Sequence, residues 1–359
     1  MVDVLVIGAG PAGCAAAIGL AKRGFGVALV EGKAFPRAKV CGEFVSPAAT
    51  GVLESLLPTD RLAELGAQRV RTFVIEEGER AVEWSMPAPG WVLSRRTLDD
   101  ALLDEARALG VPVRQPARVE RVEYPEAPSA RVRAIVSGDA VEAKVVIHAD
   151  GKGTHDPARN TPMRSGVVGM KCHLDNTRAR IHGLRMRSAR GAYIGSVGVE
   201  GGGATVALVA QSGVVKAHRG DGDALLRALW PAYDPSWRTD EWLSCGVAGG
   251  RYIAPGDARS FRVGNAAAAV EPVGGEGIGL ALWSGDLVAR TLEVDDLTRS
   301  QRAVRNAYRA RVRWRIPACR VAAETLMRPR AVCALWPLLR VPMCSIKPWY
   351  ALTGKPLSA

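Results

Sequence analysis

The chain opens on an alternation of apolar and glycine-rich segments. Residues 4–7 form an apolar run, Gly8-Ala9-Gly10-Pro11-Ala12-Gly13 follows, residues 14–20 are small or apolar, and a second apolar run, 25–30, ends at Glu31. This pattern predicts a strand, a tight turn, a helix, a strand and a terminal acid within about thirty residues. Beyond a loop holding Pro36 and Pro47, residues 48–57 read as a helix, and 69–76 and 80–86 alternate like strands. Residues 97–109 have helical periodicity, with Thr97 as cap and Gly110 as stop. Three strand-like stretches follow, 117–124, 131–137 and 141–149. Residues 165–255 alternate short apolar runs with glycine turns, which predicts a mostly antiparallel sheet, interrupted by the acidic, proline-bearing stretch 231–241. A strand at Arg262 leads through Gly264-Asn265-Ala266-Ala267, Pro272 and Gly274-Gly275-Glu276-Gly277-Ile278-Gly279 into a helix that ends near Leu292. The rest, 300–359, is helical and punctuated by Pro317, Pro329, Pro337, Pro342 and Pro348.

Length and composition narrow the class. At 359 residues the chain exceeds one ordinary domain, and 48% hydrophobic with 23% charged residues describes a globular protein. Seven scattered cysteines (14, 41, 172, 245, 319, 333 and 344) form no CxxC pair and no His–Cys cluster with metal spacing, so reduced thiols and no metal are expected. The first strand starts at once, leaving no room for a signal peptide, and no run approaches 18 apolar residues, so the expected location is cytoplasmic. The net charge of +12 is uneven: residues 301–340 carry ten arginines against one acid, Glu324. Nucleic acid is set aside because no binding motif accompanies them. A solvated helical cap is one reading; peripheral contact with an anionic membrane or an acidic carrier protein, with Trp314, Trp336, Leu338, Leu339 and Trp349 docking, is the other.

The first segment carries definite chemistry. In a dinucleotide site the first glycine (Gly8) allows the tight turn, the second (Gly10) lets a pyrophosphate approach the backbone, and the third (Gly13) lets helix and strand pack closely. The helix N-terminus offers free N–H groups and the positive dipole end to phosphate. Glu31 can accept from ribose hydroxyls, which favours FAD or NAD over a 2′-phosphorylated cofactor.

Three motifs in order, this fingerprint, Ala149-Asp150-Gly151 after a strand, and the segment from Gly264 to Gly277, resemble the FAD-dependent family of para-hydroxybenzoate-type hydroxylases, geranylgeranyl reductases and flavin-dependent halogenases. The resemblance covers about residues 1–300, and Arg37-Ala38-Lys39-Val40-Cys41-Gly42-Glu43 with Ser46-Pro47 is most similar to the geranylgeranyl-reductase-like branch. It implies a mixed α/β (α+β) fold with a Rossmann-like FAD-binding domain from 1–68, 93–160 and 256–299. An inserted antiparallel-sheet substrate domain from 69–92 and 161–255 and a C-terminal helical region, 300–359, complete it. It implies that Gly8, Gly10, Pro11, Ala12 and Gly13 cradle the FAD pyrophosphate and that Glu31 holds the adenosine ribose. Arg37, Cys41, Gly42 and Arg95 would line the same groove, and Asp150 and Gly151 would lie near the pyrophosphate. Asn265 stands where the family usually has an aspartate; its amide can still accept a hydroxyl bond, without the charge. Pro272, Gly274, Gly275, Gly277 and Ile278 would face the flavin edge at a helix N-terminus.

Within this family the cofactor carries the difficult step and the protein supplies orientation and exclusion of water. The first expectation is an FAD-dependent monooxygenase that uses NADPH or NADH to hydroxylate an apolar or aromatic small molecule of secondary metabolism. The alternative is a reductase of carbon–carbon double bonds in an isoprenoid or lipid, favoured by the Cys41-Gly42 loop and opposed by the missing Tyr-x-Trp-x-Phe-Pro signature. A flavoprotein without its own chemistry is a third reading. Halogenation is disfavoured, because Trp314-Arg315-Ile316-Pro317 has Val312 where the halogenase signature has its first tryptophan. Candidate acid–base groups are Glu43, His173 and Glu276; His148 is expected to pack or cap, and Trp84 and Trp91 are candidate walls of the substrate pocket.

Overall fold

The computed structural model describes residues 1–125, 130–153, 163–254, 256, 259–341 and 346–357. Pro342, Cys344 and the 154–160 end of the expected cofactor segment lie outside them. The expected mixed α/β architecture is present, as two large sheets, a two-stranded ribbon and a set of C-terminal helices.

The opening alternation folds as strand β1 (Val2–Ile7), helix α1 (Pro11–Lys22) and strand β2 (Val27–Val30). β1 lies between β2 and the strand Asp139–His148, parallel to both, and its inner residues Val4, Leu5 and Val6 are fully buried. Such a strand reads as a continuous apolar run because both its faces are covered. Val113–Arg114 extends the sheet beside β2, while Val132–Val136 and Val119–Glu123 add antiparallel strands on the other side. The end of Asp139–His148 pairs in parallel with Ser260–Arg262, which returns the third motif to the same sheet. Small residues bring α1 against the helix Glu276–Thr291: a Cβ added at Gly285 would lie 2.1 Å from the Ala12 carbonyl oxygen.

The second sheet has eight strands and is antiparallel except where Leu184–Ala189 runs parallel to Gln68–Glu77. Its longest unbroken antiparallel register pairs Met163–Asp175 with Gly203–Gln211, next to the edge strand Leu243–Ala248. Met170, Cys172 and Leu174 face a core under the short helices Ser212–Ala217 and Gly222–Leu229, while the alternate residues face the first sheet's domain. Phe44–Val45 also joins this sheet, by pairing with Arg80–Val92, so the loop after β2 bridges the two halves.

Two local departures from the sequence reading have simple causes. The helix expected at Thr97 begins at Arg95, because Ser94 takes the cap and accepts a bond from the Thr97 N–H. The two helices within 212–229 are too short for clear periodicity, and the second is set by the Asp221 cap. Of the C-terminal helices, Leu297–Val312 packs against Glu276–Thr291 in the first sheet's core, while Arg315–Leu326, Pro329–Leu339 and Lys347–Leu352 lie against the second sheet, and Lys355 beyond them returns to Glu276. Among the described residues no helix is long and apolar enough to cross a membrane.

Candidate functional site: a cofactor groove and an apolar cavity

Two connected spaces lie at the C-terminal ends of β1 and β2, where open α/β sheets bind ligands. The first, about 970 Å³, is lined by Gly8, Gly10, Glu31, Arg37, Lys39 and Asp150. The second, about 1490 Å³, lies between the two sheets and shares Gly10, Lys39 and Ala149 with the first. The three fingerprint glycines each do something different. Gly8 has φ +104°, and a Cβ there would lie 2.5 Å from the Ala149 carbonyl oxygen. At Gly13 a Cβ would lie 1.8 Å from the Gly8 carbonyl oxygen. At Gly10 it would meet nothing within 4 Å, so this position is bare toward the open groove.

Glu31 ends β2 with its carboxylate accepting the Ala9 N–H at 2.8 Å and the Lys33 N–H at 3.0 Å. Where the spaces join, four cations gather: Arg37, Lys39, Arg95 and Lys152. Arg95 is held by a buried two-point pairing with Asp99, at 2.6 and 2.5 Å. Burial, with Arg95 and Arg37 beside it, pulls the Lys39 ammonium down to about 8. Cations converging on a helix N-terminus with a bare glycine are a site for a multiply charged anion. The residues present therefore fit the pyrophosphate of FAD; Glu31 would then take its adenosine end and the larger cavity its flavin end. A bound pyrophosphate favours charged Lys39, so FAD affinity is expected to hold below pH 8 and fall by up to tenfold per pH unit above it. Titrating the apoprotein with FAD across pH 6.5–9.5 checks this, and Lys39→Met should remove the dependence.

The cavity is walled by Gly10, Pro11, Ala12, Cys41, Gly42, Glu43, Arg95, Gly151, Asn265, Pro272, Gly275, Gly277 and Ile278 on the cofactor side, and by Phe44, Met170, Met186, Tyr193, Leu208 and Val247 beyond it. Gly275 adopts φ +63° at the start of the helix Glu276–Thr291, where a Cβ would lie 2.6 Å from the Phe44 ring. Gly274 lies behind, toward Cys319 and Trp349.

The three candidate acid–base groups are placed differently. Glu43, on the cavity wall, has φ +58° and a buried carboxylate that accepts from Lys171, Thr205, His173 Nε2 at 2.8 Å and the Arg95 N–H at 2.7 Å. Burial alone would raise its pKa, but the bond from His173 and the Lys171 ammonium overcome that and hold it down to about 2. His173 Nδ1 is 2.7 Å from Asp240, and although burial disfavours its charge, Asp240 and Glu43 push the ring up to about 9. His173 lines a separate polar cleft rather than the cavity. Glu276 is buried off the cavity wall, paired with Lys355 and with Arg315 at 3.4 Å, so it ties down the C-terminal segment. His148 packs, with Nε2 2.7 Å from the Tyr124 hydroxyl. Neither tryptophan walls this cavity: Trp91 bonds Glu54 under Arg69, while Trp84 stacks on Phe73 and lines a neighbouring apolar space.

Sequence reasoning passed over Lys171, Thr205, Asp240 and Tyr193. Lys171 was within reach, since it shares a strand face with His173 two residues on. Nothing local marks Asp240, which a loop delivers.

Comparison with known proteins agrees with the geometry. Residues 1–167 match the FAD binding domain family. The chain is 29% identical over 325 residues to a menaquinone reductase of Mycobacterium tuberculosis, covering 83% of this chain and 78% of that protein. In structure it resembles a geranylgeranyl bacteriochlorophyll reductase-like protein of Thermoplasma acidophilum (TM-score 0.77, 19% identity, 99% and 96% of the two chains). It also resembles a probable FAD-dependent monooxygenase of Pseudomonas aeruginosa (TM-score 0.74, 17% identity, 93% and 99%). The first 167 residues thus match an FAD binding domain, and the proteins to which the chain is similar include reductases, monooxygenases and halogenases.

Proposed function

We propose that this protein is an FAD-dependent reductase that saturates a carbon–carbon double bond in the isoprenoid chain of a lipid such as a quinone, with NADPH or NADH as reductant. The observation that carries this reading is a second apolar space of about 1640 Å³, lined by Phe73, Trp84, Trp314, Leu335, Ile346 and Trp349. Met186 and Val273 line both it and the larger cavity, so the two apolar spaces adjoin, and in this reading an extended apolar chain occupies both. The similarity to menaquinone reductases across most of the chain supports the same reading. When bound and reduced, FAD supplies a hydride; the protein's apolar walls align the alkene and exclude water. Under argon, with dithionite as reductant, the prenyl chain of a geranylgeranyl-bearing quinone is expected to gain two hydrogens per turnover, counted after the ring, which dithionite reduces by itself, has been reoxidised in air.

Such a substrate lives in a bilayer, and the groove lies under the surface best suited to meet one. Seven of the ten exposed large apolar side chains among the described residues lie between 314 and 357: Trp314, Val321, Leu335, Leu338, Val341, Leu352 and Leu357. Arg309, Arg313, Arg328, Arg330 and Arg340 of the same segment are exposed too, a pairing suited to anionic head groups. The protein is expected to sediment with phosphatidylglycerol vesicles and much less with phosphatidylcholine. Val321→Glu with Leu338→Glu should weaken that binding at least tenfold; unchanged sedimentation would exclude this surface.

A further inference from the structure

Among the described residues, Met186 and Val273 are the two that line both the apolar groove and the larger cavity. They come from different elements. Met186 stands on the strand Leu184–Ala189 of the second sheet, and Val273 on the turn Pro272–Gly274 that precedes the helix Glu276–Thr291. The strand pairings lay one row of residues across the sheet: Ile75, Met186, Gly195 and Ala207 are direct neighbours on four adjacent strands. Ile75 lines the groove, and Gly195 and Ala207 line the cavity, so Met186 is the one step of that row between the two spaces. Neighbouring strands lie about 4.8 Å apart, so the crossing from Ile75 to Gly195 spans about 10 Å. A Cβ added at Gly195 would lie 3.3 Å from Met186 Sδ, so the thioether lies over its bare cross-strand partner. Met186 is 5% exposed, whereas Trp314 and Val321, which also line the groove, are 57% and 66% exposed and stand at its outer mouth.

We propose that Met186 and Val273 form the constriction that decides how far an apolar chain advances from the groove toward the flavin, and so which of its double bonds is saturated. The inference rests on the reductase reading for its consequence, the position of saturation. The two side chains suit the part. Methionine is unbranched, with three rotatable bonds and a polarisable sulfur, so it re-packs around an apolar guest. Valine is branched at Cβ and stiff, so it gives that moving side chain a fixed counterpart. Gly195 leaves the thioether its room, and a side chain there would press on the sulfur. A prenyl chain is itself apolar, so it passes a thioether and an isopropyl group without stranding a polar atom. Each isoprene unit carries one double bond, so an advance or retreat of one unit exchanges the bond that meets the flavin.

The test separates passage from turnover. The probe is methyl stearate carrying a nitroxide at carbon 16, which quenches fluorescence on contact and has no double bond to react. With FAD-loaded wild-type protein it is expected to quench both the groove tryptophans, Trp84, Trp314 and Trp349, and the FAD. Gly195→Leu, which crowds the thioether, and Val273→Phe, at a half-buried position, should each keep the tryptophan quenching and lose the FAD quenching. Met186→Ala should keep both and, with a geranylgeranyl-bearing quinone under argon, shift the saturated double bond by one isoprene unit, read by fragmentation in the mass spectrometer. The three substitutions stand at separate positions, so poor folding of one leaves the others to decide. FAD quenching that persists in both narrowed variants, or a saturated bond at the same place in Met186→Ala as in wild type, would overturn the constriction. So would a probe that quenches the tryptophans but never the FAD, in Met186→Ala as in wild type. A wild-type protein that saturates no double bond, while FAD quenching still follows positions 195 and 273, would instead count against the reductase reading and leave the constriction standing.

Discussion

Replacing Glu43 with leucine is expected to cost about 3–5 kcal/mol of folding stability, because it strands a buried ammonium. Lys171 is 1% exposed, and Glu43 carries the negative charge it contacts. The same substitution frees the Arg95 N–H and removes an acceptor from Thr205 and His173, so the second sheet, the helix Arg95–Ala108 and the loop after β2 lose a common tie. Adding Lys171→Met should recover most of the loss, since removing both charges leaves neither uncompensated. Chemical denaturation of the two single variants and the double variant measures this; independent, additive losses would show that the pair is not coupled. The network also sets a pH window. Glu43 is held from its ordinary 4.5 down to about 2, so its contribution is complete above pH 4.5 and lost as pH falls through 2. His173 is raised from 6.5 to about 9, so its contribution is complete below 6.5 and lost as pH rises through 9. Stability owed to this network is therefore greatest between about pH 4.5 and 6.5.

Alanine at Gly13 and at Gly10 should fail in opposite ways. At Gly13 the added carbon would meet the Gly8 carbonyl oxygen at 1.8 Å, a backbone atom fixed by the β1 turn, so α1 must move off the sheet. A loss of about 3 kcal/mol or more is expected, with loss of FAD binding as a consequence. At Gly10 the backbone is extended, with φ −71° and ψ 178°, and a Cβ meets no protein atom within 4 Å. Gly10→Ala should therefore melt like wild type yet bind FAD roughly tenfold or more weakly, because the methyl group occupies the pyrophosphate's approach. Thermal melting of the apoprotein beside FAD titration separates the two; normal FAD affinity in Gly10→Ala would place the pyrophosphate elsewhere.

The contrast between these sites explains what the sequence made legible. Gly8, Gly10, Gly13 and Glu31 act within one strand–turn–helix–strand unit, so their spacing announces their geometry. The antiparallel sheet was legible for the same reason, as local alternation between 165 and 255. The Glu43 network was not, since its partners Lys171, His173 and Thr205 lie 128, 130 and 162 residues away. Glu276 stands among glycines that line the cavity, but Lys355, 79 residues later, captures its carboxylate and turns a candidate acid into an anchor. The arginine-rich C-terminal segment announced its charge, but not that Trp314, Leu335 and Trp349 would roof an apolar groove.

The reductase reading turns on the mass of one product. FAD-loaded protein, a geranylgeranyl-bearing quinone and dithionite or NADPH are incubated under argon, and a parallel sample with NADPH is left in air. The expected result, once the quinone ring has been reoxidised in air, is a product two hydrogens heavier, formed under argon, with the new hydrogens on the prenyl chain. A product gained only in air, heavier by one oxygen atom, with no saturation under argon, would contradict the reductase and identify the protein as a monooxygenase.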